Sequence, residues 1–199
     1  MEMPALAKDC IIVVPNNRSL ATHVGLTLKD LGNPPKERII ISKGEDIPFV
    51  VEELSRNGKK IIGLTGRDLF EEYNLSRGKT NLKVLKTISW DDKSALFGKP
   101  VLCLLGPKGK KLKDLAENLK VCINIKYKNL AKRYLAALNG NRNFTSVYLS
   151  GSTESAYSMG ISDLVIDIVY TGSSIRDAAL EVYDKIFESD FVVVGVEND

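Results

Sequence analysis

The amino-acid sequence predicts an α/β fold with mainly parallel sheets, distributed over two lobes. Short apolar runs rich in β-branched residues recur along the 199 residues, and they are too short to be helices. Segments with helical spacing lie between several of these runs, and this alternation indicates βαβ units. The runs are numerous for one compact sheet in a chain of this length. We therefore expect two lobes, each with its own core.

The predicted strands are short buried runs, most of them bounded by polar or glycine-containing turns. In chain order they are Ile11–Val14, Arg38–Ile41, Ile61–Leu64, Val84–Ile88, Val101–Leu105, Val121–Ile125, Val147–Leu149, Leu164–Val169 and Phe191–Val194.

The predicted helices carry start and stop signals at their ends. Ser19 can cap a first helix that ends at Gly32, and Asp46 can cap a second that ends near Gly58. The polar segment at residues 89–98, "SWDDKSALFG", is a candidate crossover between the lobes. Two further helices have their apolar faces at Leu130–Leu138, closed by Gly140, and at Ile175, Ala179, Val182 and Ile186.

Composition excludes several classes of protein. The net charge of +3, from 28 basic and 25 acidic residues, gives no support for a nucleic-acid-binding protein. We expect the basic run Lys108–Lys113 to be an exposed loop. No apolar run approaches the roughly 20 residues of a membrane span, and the first residues do not resemble a signal peptide. These observations predict a cytoplasmic protein without a membrane or nucleic-acid partner.

The cysteines and the histidine offer little chemistry. Cys10, Cys103 and Cys122 lie beside or within apolar runs and lack a metal-binding spacing, so we expect buried free thiols. His23 is the one histidine of the chain, and it cannot form a histidine-rich metal site.

Ligands of open α/β sheets bind at the carboxyl ends of the strands. Arg18 follows the first predicted strand, and its planar guanidinium suits phosphate or carboxylate. Asp68 follows the third strand in "TGRDLF" and could hydrogen-bond a sugar or a base. Glu154 lies in the hydroxyl-rich stretch "SGSTESAYSMGISD". The alternatives are a capped turn at Arg18, an ordinary first helical turn at Asp68 and a plain surface loop around Glu154.

The stretch "DIVYTGSSIRD", residues 167–177, is the strongest candidate for a phosphate site. A strand, a Thr-Gly turn and a helix start would supply backbone N–H groups and hydroxyl donors together. Gly172 would leave room for a ligand to approach the backbone. Asp167 would suit ribose hydroxyls or a bridging Mg²⁺. A plain turn with a helix cap is the alternative.

Four segments, in this order and spacing, resemble the ATP phosphoribosyltransferase family. The most specific is "GSTESAYSMGISDLVIDIVYTGSSIRDAAL", residues 151–180, which is similar to the signature segment of that family. "VVPNNRSL", "EDIPFVVEELSRNGKKIIGLTGRDLFEE" and "IKYKNLAKRYL" resemble three further family segments. The residues that agree with this family signature, in identity and spacing, are Gly151, Glu154, Ala156, Gly160, Asp163, Asp167, Thr171 and Gly172.

The resemblance implies a two-lobed α/β fold of the type-II periplasmic-binding-protein kind, with an interlobe cleft. Residues 1–89 and 179–199 would form lobe I, on the nucleotide side, and residues 90–178 would form lobe II with the phosphoribosyl-binding loop. The chain would be a short form that lacks the regulatory domain of the long form. Its expected partners are further copies of itself and a regulatory subunit related to histidyl-tRNA synthetase.

The implied reaction is the first step of histidine biosynthesis. ATP and phosphoribosyl pyrophosphate would condense to N1-phosphoribosyl-ATP and pyrophosphate, with Mg²⁺ required. Asp167 and Arg18 would be the catalytic residues, and Asp167 would also be a metal ligand. The turn formed by Thr171, Gly172, Ser173 and Ser174 would bind phosphoribosyl pyrophosphate, and the ATP contacts would come from Arg18, Lys43, Asp68 and Glu154.

Two alternatives stay open. A diverged relative could bind a nucleotide or a phosphoribosyl ligand without catalysis, and Asn16 and Asn17 favour it because they stand where the family has a Lys-Gly pair. A generic solute-binding protein on the same fold is disfavoured by the first residues, which do not resemble a signal peptide.

Overall fold

The chain folds into two α/β units and passes between them twice. The computed structural model describes residues 7–138 and 142–197. Unit 1 contains the described residues up to Ser89 and those from Asp190 onward, and unit 2 contains Trp90–Ser189. The first crossing therefore lies at the start of the predicted crossover segment.

The second crossing lies later than predicted. The helical face expected over residues 175–186 is wrong, because the helix ends at Asp177 and Leu180–Glu188 forms a strand. That strand pairs antiparallel with Val101–Pro107 of unit 2. Leu180, Val182 and Ile186 also fit the alternation of a strand, so their spacing alone did not decide the structure. The chain returns to unit 1 at Asp190 and not at residue 179.

Unit 1 is a five-stranded sheet with three α-helices in its described part. The elements are β1 (Ile11–Pro15), α1 (Ala21–Asp30), β2 (Ile39–Ser42), α2 (Ile47–Arg56), β3 (Ile61–Gly66), α3 (Arg67–Arg77), β4 (Leu82–Ile88) and β10 (Phe191–Val196). The strands lie in the order β2-β1-β3-β10-β4. β1 pairs parallel with β2 and β3, whereas β10 runs antiparallel between β3 and β4.

The glycines that were predicted to end the first two helices lie where expected, but Ser19 is not the cap of α1, because it lies within the 3₁₀ helix Arg18–Leu20 and Leu20 holds the cap position. Helix α1 is followed by Gly32, whose φ of +86° is the left-handed conformation that a glycine adopts without strain. Asp46 precedes α2, but its side chain makes no cap hydrogen bond. Helix α2 packs so closely on β3 that a methyl group at Gly63 would lie 2.5 Å from Ile47 Cγ2. Ile47 and Val51 of α2 belong to the buried core of unit 1.

Unit 2 contains a second five-stranded sheet. Its elements are β5 (Val101–Pro107), β6 (Asn118–Asn124), α4 (Lys128–Ala137), β7 (Asn143–Leu149), α5 (Thr153–Ser158), β8 (Leu164–Val169), α6 (Ser173–Asp177) and β9 (Leu180–Glu188). The strands lie in the order β7-β6-β8-β5-β9. β6 pairs parallel with β7 and β8, whereas β5 runs antiparallel between β8 and β9. The predicted helix end at Gly140 lies outside the described residues.

No helix in the described part of the chain has the length and apolar character that a bilayer crossing requires. Cys10, Cys103 and Cys122 are buried and form no disulfide with one another, as predicted. Burial raises the pKa of the Cys103 thiol to about 12, so this thiol is protonated at neutral pH.

Candidate active site

The parallel strands β6, β7 and β8 end at the same edge of the second sheet, and polar side chains follow each of them. Asn124 is the last residue of β6, helix α5 begins soon after β7, and a hydroxyl-rich turn follows β8. The register aligns Ile123 of β6 with Ile166 of β8. Asn124 and Asp167, the next residues along the two strands, are therefore neighbours at this edge.

Asp167 is the centre of this edge. Its carboxylate accepts hydrogen bonds from Thr153 Oγ1 at 2.6 Å, from the backbone N–H of Ile168 at 2.7 Å and from Asn124 Nδ2 at 3.2 Å. Burial raises the pKa of Asp167, these hydrogen bonds oppose the shift, and the charge of Glu154 adds to it. The carboxylate is thereby held in one orientation between β6, β8 and α5.

Glu154 connects this centre to the turn after β8. Its Oε1 accepts a hydrogen bond from Ser174 Oγ at 2.7 Å. Its Oε2 has longer contacts with Ser152 Oγ at 3.4 Å and with Thr153 Oγ1 at 3.5 Å. One carboxylate oxygen is therefore strongly bound within the protein, and the other is bound only weakly.

The turn formed by residues 171–174 presents hydroxyl groups to solvent. Thr171, Ser173 and Ser174 are exposed, and Thr171 Oγ1 lies 3.0 Å from Ser173 Oγ. Gly172 has a φ of +73°, so the backbone conformation itself favours glycine here. That a glycine is needed for a ligand to approach stays a prediction.

Arg176 is a functional candidate that the sequence analysis missed. Its Nη1 donates to the carbonyl oxygen of Thr171 at 3.4 Å, which places an exposed guanidinium beside the hydroxyl-rich turn. The signal that could have found it is a basic residue one helical turn after a hydroxyl-rich strand end. A guanidinium in this place suits a phosphate group.

The other predicted site residues lie in unit 1, after β1, β2 and β3. Arg18 begins a short 3₁₀ helix after β1, and Lys43 follows β2, and both are exposed. Thr65 at the end of β3 donates to the carbonyl of Gly44 at 3.0 Å, so the β2 loop is fixed beside the start of α3. Parallel pairing therefore brings Arg18 and Lys43 to one edge of the first sheet.

Asp68 has a different environment from Arg18 and Lys43. It lies in the first turn of α3, it is 5% exposed, and it already interacts within the protein. A ligand contact for Asp68 stays a prediction, and its burial favours the alternative of an ordinary first-turn residue. The structure thus brings Glu154, Asp167 and the 171–174 turn together in unit 2, and it places Arg18 and Lys43 in unit 1.

The role of Asp167 as a magnesium ligand stays a prediction, because a single carboxylate can hold Mg²⁺ together with substrate phosphates. Both oxygens of this carboxylate accept protein donors, since Asn124 Nδ2 also lies 3.3 Å from Oδ2. Among residues 7–138 and 142–197, no group of three or more His, Cys, Asp or Glu side chains is placed to hold a metal ion. Mg²⁺ typically binds one or two carboxylates together with substrate phosphates, so a substrate could bring the ion with it.

Comparison with known proteins decides the family. The family model described as ATP phosphoribosyltransferase matches residues 43–198, which include every element of unit 2 and most of unit 1. The chain belongs to the ATP phosphoribosyltransferase family.

Relatives within this family are moderately similar to the chain. The ATP phosphoribosyltransferase of Caldicellulosiruptor saccharolyticus is 30% identical over 151 residues, which are 76% of this chain and 64% of that protein. The ATP phosphoribosyltransferase of Sulfurisphaera tokodaii is 32% identical over 163 residues, which are 81% of this chain and 50% of that protein. The chain thus spans less than two thirds of the length of these relatives.

A solved ATP phosphoribosyltransferase has the same fold. The ATP phosphoribosyl transferase (HisG:HisZ) complex from Thermotoga maritima contains a chain that matches with a TM-score of 0.69 and 24% identity, over 93% of this chain and 86% of that chain. The predicted two-lobed α/β fold of the type-II periplasmic-binding-protein kind is confirmed. The Glu154, Asp167 and 171–174 cluster lies within the segment that resembles the signature of the ATP phosphoribosyltransferase family.

Proposed function

We propose that this member of the family catalyses the ATP phosphoribosyltransferase reaction, in which ATP and phosphoribosyl pyrophosphate form N1-phosphoribosyl-ATP and pyrophosphate. The observation that carries the proposal is the cluster at the carboxyl edge of the second sheet. Exposed hydroxyls, a guanidinium and two carboxylates converge there, in the place where α/β sheets bind their ligands. Such a set matches a phosphorylated sugar better than a bare phosphate, because the carboxylates can accept hydrogen bonds from sugar hydroxyls.

The 5-phosphate would bind to the turn formed by residues 171–174. Three side chains of this turn are exposed hydroxyl donors. The guanidinium of Arg176 adds a positive charge beside the carbonyl oxygen of Thr171. Hydrogen bonds from a guanidinium to phosphate are charge-assisted and stronger than those from neutral donors. The turn therefore supplies both the hydrogen bonds and the charge that a phosphate monoester needs.

The ribose hydroxyls would bind to Glu154 and Asp167. Ser174 now donates to Glu154 Oε1, and a bound phosphate would compete for the same hydroxyl. Once Ser174 turns to the phosphate, Glu154 Oε1 is available to accept a hydrogen bond from the ribose. Asp167 keeps Thr153 and Asn124 in place around the sugar, so its catalytic contribution is through substrate orientation.

The chemical step is a displacement at C1 of the ribose by N1 of adenine, with pyrophosphate as the leaving group. Its transition state resembles an oxocarbenium ion, so positioning and charge stabilisation supply most of the catalysis. Arg18 and Lys43 of unit 1 would bind anionic groups of ATP and of the leaving pyrophosphate, and Asp68 and Glu154 would add polar contacts with ATP. Asp167 and the substrate phosphates would hold the Mg²⁺ ion that the resemblance implies, and the ion would offset the negative charge of the pyrophosphate.

The proposal includes the partners that the resemblance implies. The Thermotoga maritima complex is described as HisG:HisZ. We infer that this chain, too, works with a regulatory subunit related to histidyl-tRNA synthetase, and that it forms homo-oligomers. A cytoplasmic location belongs to the same proposal, because ATP and phosphoribosyl pyrophosphate are cytoplasmic metabolites.

A coupled assay tests this function. The purified chain is mixed with ATP, phosphoribosyl pyrophosphate, Mg²⁺ and pyrophosphatase, with and without a purified HisZ-type subunit, and the absorbance of the product is followed. Product in either condition is the expected result. Absence of product in both conditions, together with calorimetric binding of phosphoribosyl pyrophosphate, would instead establish the non-catalytic relative that Asn16 and Asn17 favour.

A further inference from the structure

The crossover segment at the start of unit 2 contacts the hydroxyl-rich turn. Tyr170, the residue before this turn, donates its phenol hydrogen to the carboxylate of Asp92 in the crossover segment. The backbone carbonyl of Tyr170 accepts a hydrogen bond from the Leu96 N–H at 2.7 Å. Both polar ends of Tyr170 are therefore bound by one short segment of chain, residues 92–96.

Aromatic and apolar contacts complete this arrangement. The Trp90 ring meets the Tyr170 ring edge-on, with 5.9 Å between the ring centroids and an interplanar angle of 74°. Leu96 Cδ2 lies 3.2 Å from the position that a methyl group at Gly172 would occupy. The crossover segment thus lies against Tyr170 and Gly172, the residues directly before and after Thr171 in the chain.

The crossover segment is itself held in shape. Asp92 Oδ1 accepts hydrogen bonds from the N–H and the hydroxyl of Ser94, at 2.8 and 2.7 Å. The N–H of Asp92 donates to the carbonyl of Gly98 at 2.8 Å, which closes the loop. Asp92 can therefore act as a fixed acceptor for Tyr170. Burial and the Asp92 carboxylate both raise the pKa of Tyr170, so the phenol stays protonated and remains a donor at neutral pH.

We propose that Tyr170 and Asp92 are positioning residues, which set the backbone of the 171–174 turn for binding the phosphate of a phosphorylated sugar. The inference rests on the proposed function of that turn. Fixing a turn in its binding conformation reduces the ordering cost that ligand binding must meet, so a contact that holds the turn raises affinity. The Tyr170–Asp92 hydrogen bond supplies a fixed point directly before the first hydroxyl of the turn.

The sharpest test compares two tyrosines of unit 2 that each donate to an aspartate. Tyr170→Phe removes the bond to Asp92, and Tyr134→Phe removes the bond from Tyr134 to Asp184 Oδ2 at 2.8 Å, which lies between α4 and β9. Binding of ribose 5-phosphate and of phosphoribosyl pyrophosphate is measured by calorimetry on the full chain. Thermal unfolding of both variants shows how much general stability each bond contributes.

Hydrogen bonds to charged groups are the stronger ones, so we expect Tyr170→Phe to reduce the affinity for both ligands about tenfold. The KM for phosphoribosyl pyrophosphate should rise, with little change in kcat. Tyr134→Phe should leave both affinities within about twofold of the starting protein. Equal losses of affinity in the two variants, or no loss in Tyr170→Phe, would overturn the inference.

A second variant keeps the test decisive if Tyr170→Phe does not fold. Asp92→Asn retains a neutral acceptor and should weaken binding about threefold, because neutral hydrogen bonds are roughly half as strong as charged ones. The double variant should bind as weakly as Tyr170→Phe alone, since both changes affect one bond, and additive losses would count against the inference. Wild-type protein that binds ribose 5-phosphate but makes no product would contradict the proposed function alone, whereas no binding by wild type would overturn both.

Discussion

Ser174 donates its hydroxyl hydrogen to Glu154, with 2.7 Å between Ser174 Oγ and Glu154 Oε1. This bond joins the turn after β8 to helix α5, and through Thr153 it leads on to Asp167. The side chains that we propose to bind the phosphate and those that we propose to bind the ribose are therefore already connected in the protein without ligand. Binding of a phosphorylated sugar would exchange this internal bond for two bonds to the ligand.

Ser174→Ala should therefore reduce the affinity for the substrate more than it reduces the stability of the fold. We expect KM for phosphoribosyl pyrophosphate to rise about tenfold, because a hydrogen bond to a charged phosphate is lost. Steady-state kinetics of the coupled reaction measure this. Ser158→Ala is the matched control, since the Ser158 hydroxyl is exposed in the same helix as Glu154 and donates only to a backbone carbonyl. A similar rise in KM for both variants would contradict the role of Ser174.

A buried carboxylate in unit 1 predicts acid sensitivity of the fold. Glu52 is 3% exposed, and it accepts hydrogen bonds from Tyr73 Oη and from Thr80 Oγ1 at 2.9 Å. Burial alone raises the pKa of Glu52, but these bonds and the charges of Arg56 and Arg77 outweigh it and lower the pKa. The pKa of Glu52 is thus lower in the folded state than in the unfolded state, so the stabilisation by the Glu52 carboxylate is complete above the unfolded-state pKa. This stabilisation is lost as the pH falls through the folded-state pKa.

Glu52→Gln should accordingly cost about 1–3 kcal/mol of unfolding free energy at neutral pH, because buried donors lose a charged acceptor. The cost should shrink in acidic buffer, where the wild-type carboxyl is itself protonated. Urea unfolding at both pH values measures this difference. Glu53→Gln is the control, because Glu53 is 41% exposed and pairs with Arg56 at the surface, where ion pairs contribute less than about 1 kcal/mol. A pH-independent cost at Glu52 would refute the assignment.

Two glycines of unit 1 should respond oppositely to alanine. A methyl group at Gly63 would lie 2.5 Å from Ile47 Cγ2 and 2.7 Å from Val51 Cγ2, so Gly63→Ala should destabilise by about 1–3 kcal/mol. Gly25 is exposed within α1, and nothing lies within 4 Å of a methyl group there. Gly25→Ala should stabilise by up to about 1 kcal/mol through helix propensity. Chemical denaturation compares the two, and the same sign for both would contradict the packing argument.

The predicted strands are the part of the fold that the sequence determined best. Runs such as Val101–Leu105 are continuously apolar and too short for a helix, so their length identifies them as buried strands. Residues 175–186 differ, and the helix predicted there is wrong. Their apolar spacing fits a helix and a strand equally, and pairing with β5 decided between them.

The cluster of unit 2 was predictable in its members but not in its contacts. Asp167, Glu154 and the 171–174 turn follow neighbouring strands, and the carboxyl-edge rule brings such residues together. The contacts of Asp167 with Thr153 and Asn124 join residues that are 14 and 43 positions apart. The register of β6 and β8 fixes the contact with Asn124, whereas the contact with Thr153 depends on the packing of α5 against β8. The Tyr170–Asp92 bond spans 78 positions, and no local pattern points to it.

Gly172 separates the conformational need of the turn from its proposed binding role. Gly172 and Gly109 both belong to unit 2 and have φ values of +73° and +78°, so alanine at either position should cost about 1–2 kcal/mol of stability. A methyl group at Gly172 would also lie 3.2 Å from Leu96 Cδ2 and 3.3 Å from Arg176 Nη1, whereas nothing lies within 4 Å at Gly109.

Gly172→Ala should therefore weaken the binding of ribose 5-phosphate at least about tenfold, because the methyl group displaces the side chains that flank the turn. Gly109→Ala should lose a similar amount of stability and keep its affinity. Thermal unfolding and calorimetry on both variants measure the two effects separately. Equal affinities in the two variants would show that Gly172 serves the backbone conformation alone and not ligand binding.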